Sequence, residues 1–468
     1  MKIITRFAPS PTGYLHIGNI RTALYSWLFA RKNKGKFILR IENTDFKRSK
    51  KIFINNIIET LQWLNIDWDE GPYLQSKRIN RYNNIINQML NNNKAYKCFC
   101  SKKKLEKNKK KQIMNGEKIK YNGNCRNITS LNDKKLPYTI RLRIPKNKCI
   151  TFTDTIRGEI KFNNAELDDF IIQRSDGIPT YNFCVVIDDW DMKITNIIRG
   201  EEHINNTPKQ IHIINAIGAN IPVYTHVSII TDKLGKKISK RDNNFNILKY
   251  KENGYLSITL LNYILRLGWS YGNKEIFSQE EMKKLFNLKN LNKSSSIFDI
   301  NKLNWLNKYY LNKLSKEDMI LFLKDISITK NININNGPKL KDLYKIFYKR
   351  CNSINEINNL FCIFYKNPDY KNNILIKNYL NIKTKIILEI LEKKLININI
   401  WSSENISNVL KKTIFIFNIS FKKIAMILRI AITGLENSPP INDIIYLMGK
   451  KKIIYHIKNA INFIKLNT

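Results

Sequence analysis

The sequence predicts a doubly wound α/β domain, split by an α+β insertion and followed by an all-α region. Three observations predict it. Residues 2–41 read as strand, rigid turn, helix and second strand. Apolar segments at 183–187 and 194–199 return the chain to the same sheet after a basic, cysteine-bearing stretch. Beyond about residue 245 the apolar residues recur at helical spacing.

Lys2–Phe7 is expected to be a short buried strand. Pro9, Pro11 and Gly13 break it and stiffen the turn that follows. After His16 the period changes: Ile17, Ile20, Ala23, Leu24, Trp27 and Leu28 mark one face of a helix. His16 and Gly18 therefore stand at a helix start, where unpaired backbone N–H groups and the helix dipole favour an anion. Phe37–Ile41 reads as the next strand, ending in Glu42-Asn43-Thr44-Asp45, and polar residues past a strand's carboxyl end suit a ligand crevice. Asn55–Trp68 reads as a helix and residues 69–72 as a turn.

From about residue 96 the composition shifts. Cys98 and Cys100 precede a lysine-dense run, and Tyr121 and Cys125 follow it. Thiolates at that spacing are a candidate zinc site with three ligands, and three unligated thiols are the alternative. Residues 96–178 are read as a basic α+β insertion apart from the nucleotide-binding sheet. Phe183–Ile187 suits a strand or a helix covered on both sides, and Ile194–Arg199 a central strand. Val227–Thr231 is read as a strand leading into Gly235-Lys236-Lys237-Ile238-Ser239-Lys240-Arg241.

The stretch Arg6–Arg21 resembles the HIGH signature of class I aminoacyl-tRNA synthetases, in the form found in glutamyl-tRNA synthetases, with Asn19 at the fourth position. Residues 235–241 are similar to the KMSKS loop of the same family. The segments Arg40–Asp45, Gly177–Asp189 and Arg199–Pro208 extend the likeness, as do Met426–Gly434 and Ser438–Pro440.

The resemblance implies a Rossmann-like catalytic domain in two halves, 1–95 and 179–244, around an acceptor-end-binding insertion, 96–178. A helical stem-contact domain at 245–320 and a helical anticodon-binding domain at 321–468 follow. It implies ATP and L-glutamate as substrates, Mg2+ with the ATP, and tRNA-Glu as partner. His16, Gly18, Lys237 and Lys240 carry the catalytic signatures. Pro9, Asn19, Glu202, His203, Ser239 and Arg241 join them around ATP. Arg6, Ala8, Ser10, Glu42, Tyr181 and Arg199 surround glutamate, with Glu42 on its ammonium group and the two arginines on its carboxylates. Arg350 is implied as an anticodon contact, and Tyr121 as the fourth zinc ligand beside Cys98, Cys100 and Cys125. A monomer is implied.

Three other readings within this resemblance are disfavoured: the helical periodicity argues against the first below, the chain beyond residue 320 against the second, and intact His16, Gly18, Lys237 and Lys240 against the third. A glutaminyl enzyme would end in β-barrels, and a truncated relative that glutamylates a tRNA base would lack the last region. A catalytically inactive tRNA-binding paralogue would keep the fold alone. A form that also charges tRNA-Gln is not distinguished by sequence.

Composition narrows the class without naming it. Lys and Arg number 80 against 38 Asp and Glu, a net charge of +42. So basic a surface attracts polyanions, and binding to nucleic acid should weaken with salt. The same excess of Lys, Asn and Ile arises from AT-rich codon bias, so charge alone does not establish an RNA partner. Seven cysteines in 468 residues make no disulfide framework. No apolar run approaches the roughly 20 residues of a membrane span, and the first strand follows Met1 at once. A cytoplasmic protein is expected.

Overall fold

The computed structural model describes residues 2–128, 136–146, 148–237, 246–347, 351–370 and 379–467. It forms two compact units: Met1–Glu252 with Ser257–Leu303, and Asn253–Leu256 with Asn304–Thr468.

In the first unit β1 (Ile4–Phe7) leads through the proline turn into α1 (Ile17–Lys32) and back to β2 (Lys36–Ile41). β1 and β2 pair in parallel, Ile4 opposite Lys36. The six apolar residues that mark the helix period are all buried. α2 (Lys51–Trp63) precedes β3 (Glu70–Leu74), which adds to β2. Of residues 69–72, read from sequence as a turn, Glu70–Pro72 instead open this edge strand. Pro72 is tolerated there because an outer edge needs no ladder N–H.

α3 (Ile79–Asn91) leads to the insertion. β4 (Ala95–Cys98) and β5 (Thr139–Leu142) flank the exposed lysine helix α4 (Lys102–Met114) in sequence. Between β5 and the last insertion strand lies a hairpin, β6 (Cys149–Asp154) and β7 (Gly158–Asn163). β8 (Ile171–Gln173) then closes a small antiparallel sheet in the order β4-β5-β8.

The hairpin corrects the reading of 96–178 as separate from the main sheet. β6 pairs in parallel with β10 (Val223–Val227), which pairs in parallel with β9 (Asn196–Gly200). The alternating burial of Cys149–Asp154 gives this strand one covered face against the sheet.

α5 (Tyr181–Asp191) resolves the ambiguous apolar run as a helix, and α6 (Thr207–Ile217) links β9 to β10. The Thr195 N–H donates to the Ile4 carbonyl at 3.0 Å, so β9 lies beside β1. The chain leaves β1 toward β2 on one side and returns at β9 on the other. The crevice beyond the carboxyl ends of β1 and β9 is the topological switch point, the place where such sheets bind ligands.

The strand expected over Val227–Thr231 is interrupted. β10 ends at Val227, and β11 is only Ile230–Thr231. Arg21 takes the Ser228 carbonyl, and Glu201 accepts from the Ile229 N–H at 3.2 Å. α7 (Ile247–Glu252) and α8 (Ser257–Arg266) follow. The Tyr25 hydroxyl reaches the carbonyls of Leu265 at 3.1 Å and Leu267 at 2.9 Å. The start of the expected 245–320 domain therefore belongs to the first unit, because α8 covers α1.

The second unit is all helical among its described residues. Its last five helices are α9 (Ile382–Ile396), α10 (Ser403–Phe417), α11 (Phe421–Thr433), α12 (Ile441–Met448) and α13 (Lys450–Asn467). Leu388, Leu391 and Leu395 of α9 and Ile453, Ile457 and Ile464 of α13 share one core. Ser402 and Ser420 cap α10 and α11 by accepting from backbone N–H groups.

His456, in α13, is fully buried, and neither ring nitrogen has a hydrogen-bond partner. Burial, with Lys452 nearby, brings its pKa down from 6.5 to about 4. Folding thus keeps the ring neutral where the unfolded chain would protonate it. The contribution to stability is intact above pH 6.5 and is lost progressively as the pH falls toward 4. His456→Phe is expected to flatten the melting-temperature profile of this unit across that window, and a profile parallel to wild type would contradict it.

Candidate active site

The cleft at the switch point encloses about 220 Å³ and is lined by Arg6, Ala8, Pro9 and Ser10 after β1, by His16, Gly18 and Asn19 at the start of α1, and by Glu42 after β2. Tyr181 of α5, Arg199 of β9, Glu202, His203 and Lys237 also line it, together with Arg21, Thr22 and the Val227–Ile230 stretch. The sequence reading named thirteen of these lining residues as site residues and did not name Arg21, Thr22 or Val227–Ile230. Ser239, Lys240 and Arg241 lie outside the described residues, as does Arg350.

His16 caps α1. Its Nδ1 accepts from the Gly18 N–H at 3.1 Å, which puts the ring proton on Nε2. Asn19 answers by accepting from the His16 N–H at 3.4 Å, so the capping box survives the change at the fourth motif position. A Cβ on residue 18 would stand 3.0 Å from the His16 ring, so glycine lets the imidazole lie over the helix start. Lys237 approaches Glu202 at 3.7 Å, both side chains half exposed. Cations and N–H donors thus converge at one end of the cleft.

The other end is built on buried charge. Arg6 Nε donates to Asp189 at 3.1 Å, and Arg40 Nη1 donates to the same oxygen at 2.8 Å. Arg40, fully buried, also donates from Nη2 to Glu42 at 3.2 Å. Asp188 approaches Arg40 at 3.6 Å and accepts from Arg78, Gln75 and Tyr82 at 2.7, 2.8 and 2.9 Å. Burial pushes the Glu42 carboxyl up to about 7 against the pull of Arg40 and Arg6. For Asp189 the balance is reversed: burial raises its pKa, but Arg6 and Arg40 together hold it below the usual carboxylate value.

Arg199 differs from both of those arginines. It is 6% exposed, and among the described residues no carboxylate lies within ion-pair distance of it. Its partners are neutral: His226 Nε2 at 3.1 Å, Gln210 Oε1 at 2.8 Å and Thr207 Oγ1 at 2.8 Å. Burial lowers its pKa from the ordinary guanidinium value. A buried cation without a counter-ion is costly to hold, and an incoming carboxylate would relieve that cost. Burial, followed by the charge of Arg199, also brings His203 down to about 4, so this ring is neutral at physiological pH.

Arg40, Asp189, Thr207, Gln210 and His226 do not line the cleft but hold Arg6, Glu42 and Arg199 in place, and sequence reasoning missed that role. The only local signal was acidic residues ending an apolar helix.

Away from the cleft, Cys98, Cys100 and Cys125 gather with all three sulfurs within 4.8 Å. Cys100 and Cys125 sulfurs are 3.6 Å apart, and the Tyr121 hydroxyl lies 3.3 Å from Cys98 and 3.8 Å from Cys100. Burial would raise the Cys98 thiol, but hydrogen bonds from Tyr121, the Cys100 N–H and Arg141 bring it down to about 7. In the second unit Arg429, Ser438, Pro439 and Pro440 line a cleft of about 1220 Å³, with Arg429 Nε donating to Ser438 at 2.7 Å. No helix among the described residues is long and apolar enough to cross a membrane.

A parallel sheet with a histidine-capped helix start at its switch point, followed by a helical region, is the architecture of a class I aminoacyl-tRNA synthetase. Residues 2–305 match the family described as "tRNA synthetases class I (E and Q), catalytic domain", and residues 308–461 match "Anticodon binding domain". The chain belongs, more narrowly, to the glutamate–tRNA ligase family. It is 53% identical over 467 residues to the glutamate–tRNA ligase of Wigglesworthia glossinidia brevipalpis, covering 100% of this chain and 99% of that one. It is 51% identical over 465 residues to the enzyme of that name from Buchnera aphidicola, covering 99% and 100%. The crystal structure of a glutamate tRNA ligase from Elizabethkingia meningosepticum, in complex with its amino acid, superposes with a TM-score of 0.82. That match is 30% identical and covers 99% of this chain and 100% of that one.

Proposed function

We propose that this chain activates L-glutamate with ATP and transfers the glutamyl group to the 3′-terminal adenosine of tRNA-Glu. The glutamate α-carboxylate attacks the α-phosphorus, the bond to pyrophosphate breaks, and glutamyl-adenylate forms. A ribose hydroxyl of the tRNA then displaces AMP. The observation that carries this reading is one cleft with an anion-binding helix start at one end and a buried guanidinium without a carboxylate partner at the other.

Such a displacement needs alignment and cancellation of growing negative charge more than a protein base. His16 Nε2–H and the start of α1 hold the phosphates from one side, and Lys237 from the other. The same role is assigned to Lys240, three positions after Lys237 in the sequence. Mg2+ enters with ATP as its counter-ion. Arg199 and Arg6 take the substrate's carboxylates, and Glu42 its ammonium group, which favours the ionised form of that carboxyl. In the second unit, Arg429 beside two proline rings suits an unstacked anticodon base. The enzyme acts in the cytoplasm as a monomer. ATP–pyrophosphate exchange that requires both glutamate and tRNA-Glu or glutamate alone supports the activation step, and no exchange under either condition opposes it.

We also propose that Cys98, Cys100, Cys125 and Tyr121 hold a structural zinc ion. A tetrahedral site with Zn–S bonds of about 2.3 Å needs sulfurs about 3.8 Å apart, and the 3.6 Å Cys100–Cys125 separation suits it. The purified protein is expected to carry close to one zinc per chain, lost in Cys100→Ser. A metal-free protein with all three thiols titrating would contradict this.

A further inference from the structure

Arg199 and His226 are direct cross-strand partners in the β9–β10 ladder. Asp154 sits at the end of β6, on the other side of β10. Its Oδ2 accepts both the His226 backbone N–H, at 2.9 Å, and the ring Nδ1–H, at 2.8 Å. Its Oδ1 accepts the N–H groups of Ile156 and Arg157, each at 3.0 Å, so the carboxylate cannot rotate without losing bonds. This arrangement settles the histidine tautomer. With the proton held on Nδ1, Nε2 carries a lone pair, and that lone pair faces the Arg199 Nε–H at 3.1 Å. The other tautomer would set N–H against N–H. His226 and Asp154 are both fully out of solvent, so neither can exchange these bonds for water.

We propose that His226, anchored by Asp154, is a positioning residue that aims Arg199 at a carboxylate of the amino-acid substrate while contributing no negative charge of its own. The inference rests on the reading of Arg199 given above. The contrast with Arg6 and Arg40 carries it. Those two share the Asp189 carboxylate, and their charge is answered within the protein. Arg199 is gripped through Nε by an imidazole, through Nη1 by an amide and through Nη2 by a hydroxyl. Its orientation is fixed on three sides, yet its charge is left for the ligand. A carboxylate in place of His226 would fix the same orientation and cancel the attraction. The arrangement therefore selects an anionic side chain or carboxylate over a neutral amide, which would leave the buried guanidinium unneutralised.

The test is glutamate KM and kcat for His226→Asn, His226→Gln and Arg199→Lys, with circular dichroism to confirm folding. Asparagine reaches the Nδ1 position and keeps the Asp154 bond, but it places no acceptor where Nε2 stood. Glutamine reaches the Nε2 position and restores an acceptor for Arg199. His226→Asn is expected to raise the glutamate KM by about 10–100-fold with much smaller changes in kcat and in the KM for ATP. His226→Gln is expected to recover most of that loss. Equal effects of the two variants, or a change confined to kcat and melting temperature, would overturn the inference. If Arg199→Lys raises the glutamate KM while both His226 variants match wild type, His226 has no positioning role and the assignment of Arg199 stands. If Arg199→Lys leaves the glutamate KM unchanged, the assignment of Arg199 itself fails.

Discussion

Arg199→Ala is expected to cut kcat/KM for glutamate by about 10²–10⁴-fold, because a buried charged pair whose partner is removed loses roughly 3–5 kcal/mol. The charge of Arg199 is not neutralised by any described carboxylate, whereas Arg6 and Arg40 share Asp189. Two further outcomes separate a substrate role from a structural one. Affinity for tRNA should hold near wild type, since Arg199 is buried within the sheet. The melting temperature should change little, because the protein already bears the cost of an unneutralised cation there. Steady-state aminoacylation, tRNA binding and thermal unfolding together check this. Near-normal glutamylation by the variant would remove Arg199 from the site.

Asp189→Ala is expected to act the other way round, on the fold first. Its carboxylate is shared by Arg6 and Arg40, both buried. Removing it leaves Arg6 without its carboxylate and Arg40 with only Glu42 and the more distant Asp188, at an expected cost of roughly 3–5 kcal/mol. For a unit of this size that lowers the melting temperature by about 5–8 °C. Activity should fall as well, since Arg6 and Glu42 both lose their support, directly or through Arg40. Asp189→Asn keeps the shape but not the charge and should fall between. Melting temperatures of the isolated variants within a degree or two of wild type would show that the network does not stabilise the first unit.

These two residues also mark what could be read from sequence. Arg199 ends a strand in a motif-bearing segment, so its position suggested a ligand. The strand–turn–helix at the N-terminus was legible for a similar reason: its signals are local periodicities, and the six apolar positions of α1 are all buried. The role of Asp189 was not legible, because Arg40 and Asp189 meet across 149 positions and no local pattern records that pairing. His226 was hidden in the same way, inside a short apolar strand whose partner strands come from distant parts of the chain. The hairpin of β6 and β7 was assigned outside the sheet because strand pairing is also non-local. The run at 183–187 stayed ambiguous because its length suits either element, and only the packing of α5 against the sheet decides it.

The measurement that tests the central proposal most directly is aminoacylation with labelled glutamate, using tRNA-Glu and tRNA-Gln separately. tRNA-Glu is expected to be charged, in an ATP-dependent reaction that is lost with Arg199→Ala. Charging of tRNA-Gln as well would make this a non-discriminating ligase with the same site. Charging of neither tRNA, with control enzymes working, would contradict the account and leave a tRNA-binding protein that has kept the fold of an enzyme.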